Sequence, residues 1–298
     1  MEPHSHHHHN PTEYNRAFLI GIILNVAFVI IEAVYGLVSN SSALLADAGH
    51  NAGDVLSLVF AWAALSLAKR KPTDKKTYGF KKSTILVSLL NATLLFGAIS
   101  IIAWDAVNKF RNPVEIQGDI VMIVAGIGVV INTVTALLFF RGQKHDLNIR
   151  GAFLHMAADA AVSLGVVVAG FIILKSNLLW IDPAISLLII SVILWSNWKL
   201  FSESLNLALD GVPKDLKLEQ INNKILEING VSSIHDLHVW ALSTTDSALT
   251  AHIVVTNEQT DTMIHEIQEM LEKDFDIHHS TLQIETLSAH LHCHSCEE

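Results

Sequence analysis

Six runs of mainly apolar residues dominate the chain, at 16–38, 43–68, 83–107, 117–140, 151–174 and 180–206. A helix needs roughly 20 such residues to cross the hydrocarbon core of a bilayer. No water is available there to satisfy backbone groups, so a single spanning segment must be helical. The pattern predicts an α-helical membrane domain with six transmembrane helices over 16–207. Composition agrees, with 51% hydrophobic and only 16% charged residues, against about 25% charged in an ordinary soluble domain. The net charge of −10 argues against a nucleic-acid partner, which would require a basic patch.

The breaks between the runs carry positive charge unevenly. The second break, "KRKPTDKKTYGFKK", holds seven Lys/Arg, and the fourth, "RGQKHDLNIR", holds Arg141, Lys144 and Arg150. The first, "SNSS", holds none. Lysine- and arginine-rich loops stay in the cytoplasm, which places the second and fourth breaks and both termini on that side. A cysteine introduced in the "SNSS" turn is expected to react with an external thiol reagent, and one at Thr73 is not. The reverse labelling pattern would overturn this orientation.

Residues 212–288 read as a separate soluble domain. "DLKLEQINNKILEI" is an amphipathic helix closed by Asn229 and Gly230. "SSIHDLHVWALS" and "SALTAHIVVT" are strands, "TDTMIHEIQEMLEKDF" is a second helix, and "STLQIETL" alternates as a last strand. The order αββαβ suits a small α+β, ferredoxin-like cytoplasmic domain. Residues 1–15 form a His-rich leader, "HSHHHH", and 289–298 a tail ending "HLHCHSCEE". Two cysteines, Cys293 and Cys296, both in that tail, leave no disulfide framework for the body of the protein. C-x-x-C with interleaved histidines is a candidate Zn²⁺ or Cu⁺ ligand set.

The second run contains His50 and Asp54, four residues apart and so on one helical face. The fifth repeats the spacing with His155 and Asp159. Charges near the bilayer centre cost about 2.5–3.5 kcal/mol each on insertion scales, so something must compensate them. Two imidazoles and two carboxylates match the number and chemistry of a tetrahedral Zn²⁺ site. Such ligands must be deprotonated to bind, so metal and protons compete for them. Histidine titrates near neutrality, which makes an alternately exposed site of this kind able to exchange metal for protons. Asp47, one turn before His50, is expected to orient a ligand or to make a helix-end hydrogen bond rather than bind metal itself. Asn25, Asn91 and Asn132 are expected to make interhelical hydrogen bonds, worth about 0.6 kcal/mol on average. For Glu32 two readings stand, such an interhelical bond or a contribution to the proton path.

With "LADAGHNAGD" in the second run and "HMAADAAVS" in the fifth, the chain resembles the cation diffusion facilitators. "TYGF", "DPAISLLI", "ALDGVP" and "HDLHVWAL" support the resemblance, which covers nearly the whole sequence. It implies a homodimeric, multi-pass exporter that moves divalent metal out of the cytoplasm against protons by alternating access, and no enzymatic activity. It further implies a bacterial plasma-membrane location. A two-His, two-Asp site implies Zn²⁺ as the cargo, with Co²⁺ and Cd²⁺ as further substrates. The family also implies structural or regulatory zinc in the cytoplasmic domain. There the motif match selects His235, His252 and Glu285, with His265 or His278 as the ligand of a second ion. A lysine at the start of the third span, Lys82 with Lys81 as competitor, is implied to interlock with Asp210.

Departures from the family narrow the branch. The second break carries no histidine, so the additional metal site some bacterial members build there is expected to be missing. The fourth break carries only His145 rather than a long His-rich loop. Both point to the bacterial efflux branch. Among rival readings, a membrane metallohydrolase would need an open coordination position and a general base, and "HExxH" is absent. A passive metal channel would show no proton coupling. A membrane-bound sensor would not need ligand pairs inside two spans.

Overall fold

A computed structural model describes residues 11–140, 147–256 and 260–286. Six long helices come first: α1 (Pro11–Val38), α2 (Ser42–Ala68), α3 (Ser83–Arg111), α4 (Gly118–Phe140), α5 (Leu147–Ser176) and α6 (Ile181–Ala208). They are followed by α7 (Leu218–Leu226), β1 (Val231–Ala241), β2 (Ser247–Val255), α8 (Thr260–Phe275) and β3 (His279–Thr286). By length and composition five of the long helices, α2 to α6, can each cross a membrane, and α1 adds a described apolar stretch over Asn25–Val38.

Several helices outrun the apolar segments that predict them, α1 by beginning at Pro11 rather than 16. α3 continues past 107 to Arg111 because Lys109 pairs with Asp105 at 2.6 Å, an i,i+4 contact that supports a polar last turn. α5 begins at Leu147 rather than 151 because nothing in that stretch breaks a helix. α6 ends two residues beyond the predicted 206. By contrast α7 is shorter than the predicted 215–228. Its chain enters through a turn in which the Leu216 N–H donates to the Pro213 carbonyl at 3.0 Å. The helix then buries Ile221 and Ile225 and stops at Leu226. Gly230, at φ +96°, takes a left-handed conformation that carries little penalty only for glycine, and it leads into β1.

The described chain falls into two compact units. One comprises the chain up to Leu58 with Thr93–Asn197, the other Val59–Ala92 with the chain from Trp198 onward. The first has a core of Ala43, Leu44, Ile99, Val121, Ala125, Val166 and Ile190 among others. Small residues let α4 and α5 approach closely. A Cβ added at Gly118 would lie 2.9 Å from the Gly170 carbonyl oxygen, and one at Gly170 would lie 2.9 Å from the Met122 backbone nitrogen. Side chains such as Ile101, Trp104 and Trp195 lie largely exposed on the helices, which suits a hydrocarbon surround rather than water.

Within this first unit the start of α2 is capped from α6. The Asp182 carboxylate accepts from the Ser42 N–H at 2.7 Å and from the Ser41 hydroxyl. Ser186 donates to the Ser42 carbonyl at 3.0 Å, and Ser42 donates to Asp105 at 2.6 Å. A carboxylate at a helix N-terminus satisfies orphan N–H groups and complements the helix dipole.

In the second unit three strands lie in the order β1-β2-β3. β1 and β2 run antiparallel, while β2 and β3, joined through α8, run parallel. Ile221, Ile225, Val239, Leu249, Ile253, Ile267 and Leu271 form its core. The segment between α2 and α3 also belongs to this unit. Lys82 Nζ lies 2.6 Å from Asp210 and Lys81 Nζ 2.9 Å from Asp246. The Thr244 N–H donates to Thr84 Oγ1 at 3.0 Å, and the Tyr78 ring meets the His279 ring edge-on with centroids 5.3 Å apart.

Candidate metal sites

Helical spacing puts His50 and Asp54 on one face of α2, and His155 and Asp159 on one face of α5. The fold brings the two faces together. His50 Nε2 lies 3.4 Å from Asp159 and 3.8 Å from Asp54, and His155 Nε2 lies 3.1 Å from Asp54 and 3.6 Å from Asp159. A tetrahedral Zn²⁺ with bonds near 2.0–2.1 Å separates its ligand atoms by about 3.3–3.4 Å. The four contacts bracket that edge length, and Asp54, His155 and Asp159 each offer a ligand atom within 4.8 Å of the others, with His50 reaching the group through Asp159 and Asp54. Asp159 is buried, and the other three are partly exposed. Asp54 Oδ2 and Asp159 Oδ2 are buried without a hydrogen-bond partner, as expected of carboxylate oxygens aimed at a cation. The arrangement can hold a dication or take up protons in its place.

Around this cluster the polar residues divide. Asp47 does not support His50 by a hydrogen bond, because His50 Nδ1 and Asp47 Oδ1 both lack partners. Asp47 instead accepts from the Ser163 hydroxyl at 2.8 Å. Asn51 donates to Glu32 at 3.3 Å. Asn25 Oδ1 and Asn132 Nδ2 are buried and unpartnered, so helix-to-helix bonds do not satisfy those two amides in full.

A second cluster lies in the α+β unit. Cross-strand pairing sets His235 of β1 opposite His252 of β2, with ring centroids 4.9 Å apart. Glu285 of β3 reaches both, at 3.1 Å to His235 Nε2 and 2.8 Å to His252 Nδ1. The three can each offer a ligand atom within 4.8 Å of the others. Two imidazoles and a carboxylate fit Zn²⁺. Burial would raise the Glu285 carboxyl, but hydrogen bonds from His235, Gln283 and His252 outweigh it and hold Glu285 below its usual range. Ionised carboxylate is the form that binds metal.

Asp236 is a residue that sequence reasoning did not select. The register between β1 and β2 is irregular from His235 to His238, and Asp236 sits there at φ +52°. The bulge turns its carboxylate to within 3.6 Å of His252 Nε2 and 2.8 Å of His238 Nε2. The His238 contact lowers the Asp236 carboxyl from its ordinary value. The signal available in the sequence was its place between two histidines in "HDLH". His265 and His278 do not join the three-residue cluster. They line a separate cleft of about 310 Å³ with Glu269, Glu272 and His279. His278 lies 3.2 Å from Glu272 and 3.0 Å from Asp276. Cys293, Cys296 and the N-terminal histidines lie outside the described residues.

Two family descriptions match the chain: the cation efflux transmembrane domain over residues 18–207 and the cation efflux protein cytoplasmic domain over 213–287. The chain belongs to the cation efflux family. It is 36% identical over 283 residues to the metal cation efflux system protein CzcD of Cupriavidus metallidurans, covering 94% of this chain and 89% of that protein. It is 33% identical to a cadmium, cobalt and zinc/H(+)-K(+) antiporter of Bacillus subtilis, with 96% and 93% covered. It is likewise 33% identical to the zinc transporter ZitB of Escherichia coli, with 96% and 94% covered. In this family frame the four-residue cluster between α2 and α5 lies inside the transmembrane match, and the His235–His252–Glu285 cluster lies inside the cytoplasmic one. The protein is a multi-pass integral membrane protein.

Proposed function

We propose that this chain is a metal-ion/proton antiporter that exports divalent cations from the cytoplasm by alternating access, with Zn²⁺ the preferred cargo. The observation that carries the reading is the meeting of His50, Asp54, His155 and Asp159 at 3.1–3.8 Å between two membrane helices. The names of relatives as metal efflux protein, antiporter and zinc transporter support the same cargo and coupling. Mixed imidazole and carboxylate donors suit Zn²⁺ and also admit Co²⁺, and Cd²⁺ appears in the name of a relative.

The finer reading has six spans, α1 being the sixth, and both termini in the cytoplasm of a bacterial cell. The α+β unit is read as ferredoxin-like, supported by its αββαβ order and by one antiparallel and one parallel strand pair. It holds resident zinc on His235, His252 and Glu285, with Asp236 at the rim and with His265 or His278 serving a second ion. This zinc brings two copies together in a homodimer. The Lys82–Asp210 pair acts as an interlock between the start of the third span and the chain that follows the sixth. In the tail, Cys293 and Cys296 are candidates for capturing metal.

The test is zinc uptake by proteoliposomes loaded with zinc and proton indicators. Zinc entry is expected to drive proton exit, and an imposed pH gradient of the right sign is expected to drive zinc uphill. Zinc flux with no opposing proton movement would reject antiport in favour of a channel.

A further inference from the structure

Beside the metal cluster lies a second group of buried acidic and amide side chains that the ligand set does not use. Glu32 of α1 and Asp47 and Asn51 of α2 are essentially inaccessible to solvent. One oxygen of each carboxyl is accounted for: Glu32 Oε2 accepts from Asn51 Nδ2 at 3.3 Å, and Asp47 Oδ2 accepts from Ser163 at 2.8 Å. The other oxygens, Glu32 Oε1 and Asp47 Oδ1, are buried and have no donor, and neither does Asn51 Oδ1. Asn51 stands one turn after Asp47 on α2, so its bond to Glu32 brings the Glu32 carboxyl to the same face of α2 that carries Asp47. Two acceptor-only oxygens cannot bond to each other unless one carries a proton. Two like charges in contact away from water cannot both stay ionised.

We propose that Glu32 and Asp47 form a proton-binding site in which the two carboxyls share one proton, and that this proton is released when metal occupies the neighbouring cluster. The inference deepens the antiport reading and rests on it. The charged groups that act on the pair are Asp159 of α5, which acts on both carboxyls, and His50 of α2, which acts on Asp47. Asn51 and Ser163 contribute neutral hydrogen bonds. With the cluster free of metal, the Asp159 charge opposes a second negative charge on the pair. A dication held by His50 and Asp159 reverses that field and favours the ionised pair. The proton then leaves as metal arrives. By linkage, protonation of the pair weakens metal binding by the same factor, which is what release on the acidic side of a membrane needs. The orphaned oxygens of Glu32 and Asp47 are thereby explained without a contact to the ligands themselves.

Isothermal titration of the purified full-length protein with Zn²⁺, run in two buffers of different protonation enthalpy, counts the protons released per metal bound. Binding at the cytoplasmic cluster contributes equally to every variant and cancels in the difference. Glu32→Gln and Asp47→Asn are each expected to release about one proton fewer than wild type, with zinc still bound at the intramembrane cluster. The double variant is expected to lose no more than either single one, because the pair shares one proton. A parallel infrared measurement is expected to show a protonated-carboxyl band that zinc removes in wild type and that both single variants lack. Should Glu32→Gln misfold, Asp47→Asn and the infrared band carry the test. Proton release in a folded single variant equal to wild type would overturn the proposal. So would a double variant losing twice as many protons as the singles. A wild-type protein that moves zinc with no proton flux at all would instead overturn the antiport reading, so the two failures are read separately.

Discussion

Asp159→Ala is expected to abolish zinc-driven proton movement in vesicles and to remove the intramembrane zinc site from a calorimetric titration. Asp159 is buried and lies within 3.4–3.6 Å of both histidines, so no neighbour or solvent molecule replaces its oxygen in place. Loss of a partner that merely supports a ligand costs roughly 10–100-fold in metal affinity, and loss of a ligand itself is expected to exceed that. His252→Ala is the contrast. That residue binds metal that stays with the protein, and its ligand biases a conformational equilibrium only by its differential affinity for the two states. The rate of transport or its zinc dependence is expected to shift, with the intramembrane site retained. Transport by Asp159→Ala at the wild-type rate would reject the assignment of the carried ion to this cluster.

Gly170→Leu is expected to produce the largest structural failure of any single change between α4 and α5. A Cβ there would stand 2.9 Å from Met122 N, 3.0 Å from Gly118 O and 3.3 Å from Met122 Cα. All three are backbone atoms of a packed helix, so relief requires the helices to move apart. Overpacking of this kind costs about 1–3 kcal/mol or more. Because α5 also carries His155 and Asp159, zinc binding is expected to weaken along with thermal stability in detergent. Gly165→Ala on the same helix is the control. Its added Cβ meets nothing within 4 Å, and helix propensity alone favours alanine by about 0.8–1.0 kcal/mol. A melting temperature for Gly170→Leu equal to that of wild type would show that the close approach of these helices does not matter.

What was legible in the sequence is what local periodicity encodes. Runs of apolar residues long enough to span a membrane locate α2 to α6, and i,i+4 spacing by itself places each His–Asp pair on one helical face. Alternation locates β1, β2 and β3 to within two residues at either end. Polar ends that extend a helix, such as Lys109 paired with Asp105, and a proline-led turn that shortens α7 are not legible in the same way. Neither changes the hydrophobic pattern.

Tertiary structure alone decided which faces meet. Two H-x-x-x-D pairs 105 residues apart could have met different partners; the packing of α2 against α5 sets His50 beside Asp159 and His155 beside Asp54. The choice between Lys81 and Lys82 for Asp210 depends on which direction each side chain leaves the segment between α2 and α3, and the neighbours end on different acids. Asp236 reaches His252 because of a register irregularity, which depends on how two strands pair and not on either strand's composition. Asp182 caps α2 from across about 140 residues of chain, and Glu32 of α1 meets Asn51 of α2. The residue types that bind metal and cross a bilayer are properties of the chain taken a turn or a strand at a time. The oxygens left without donors, and so the places where protons and metal ions must go, exist only once distant segments are packed and water is excluded.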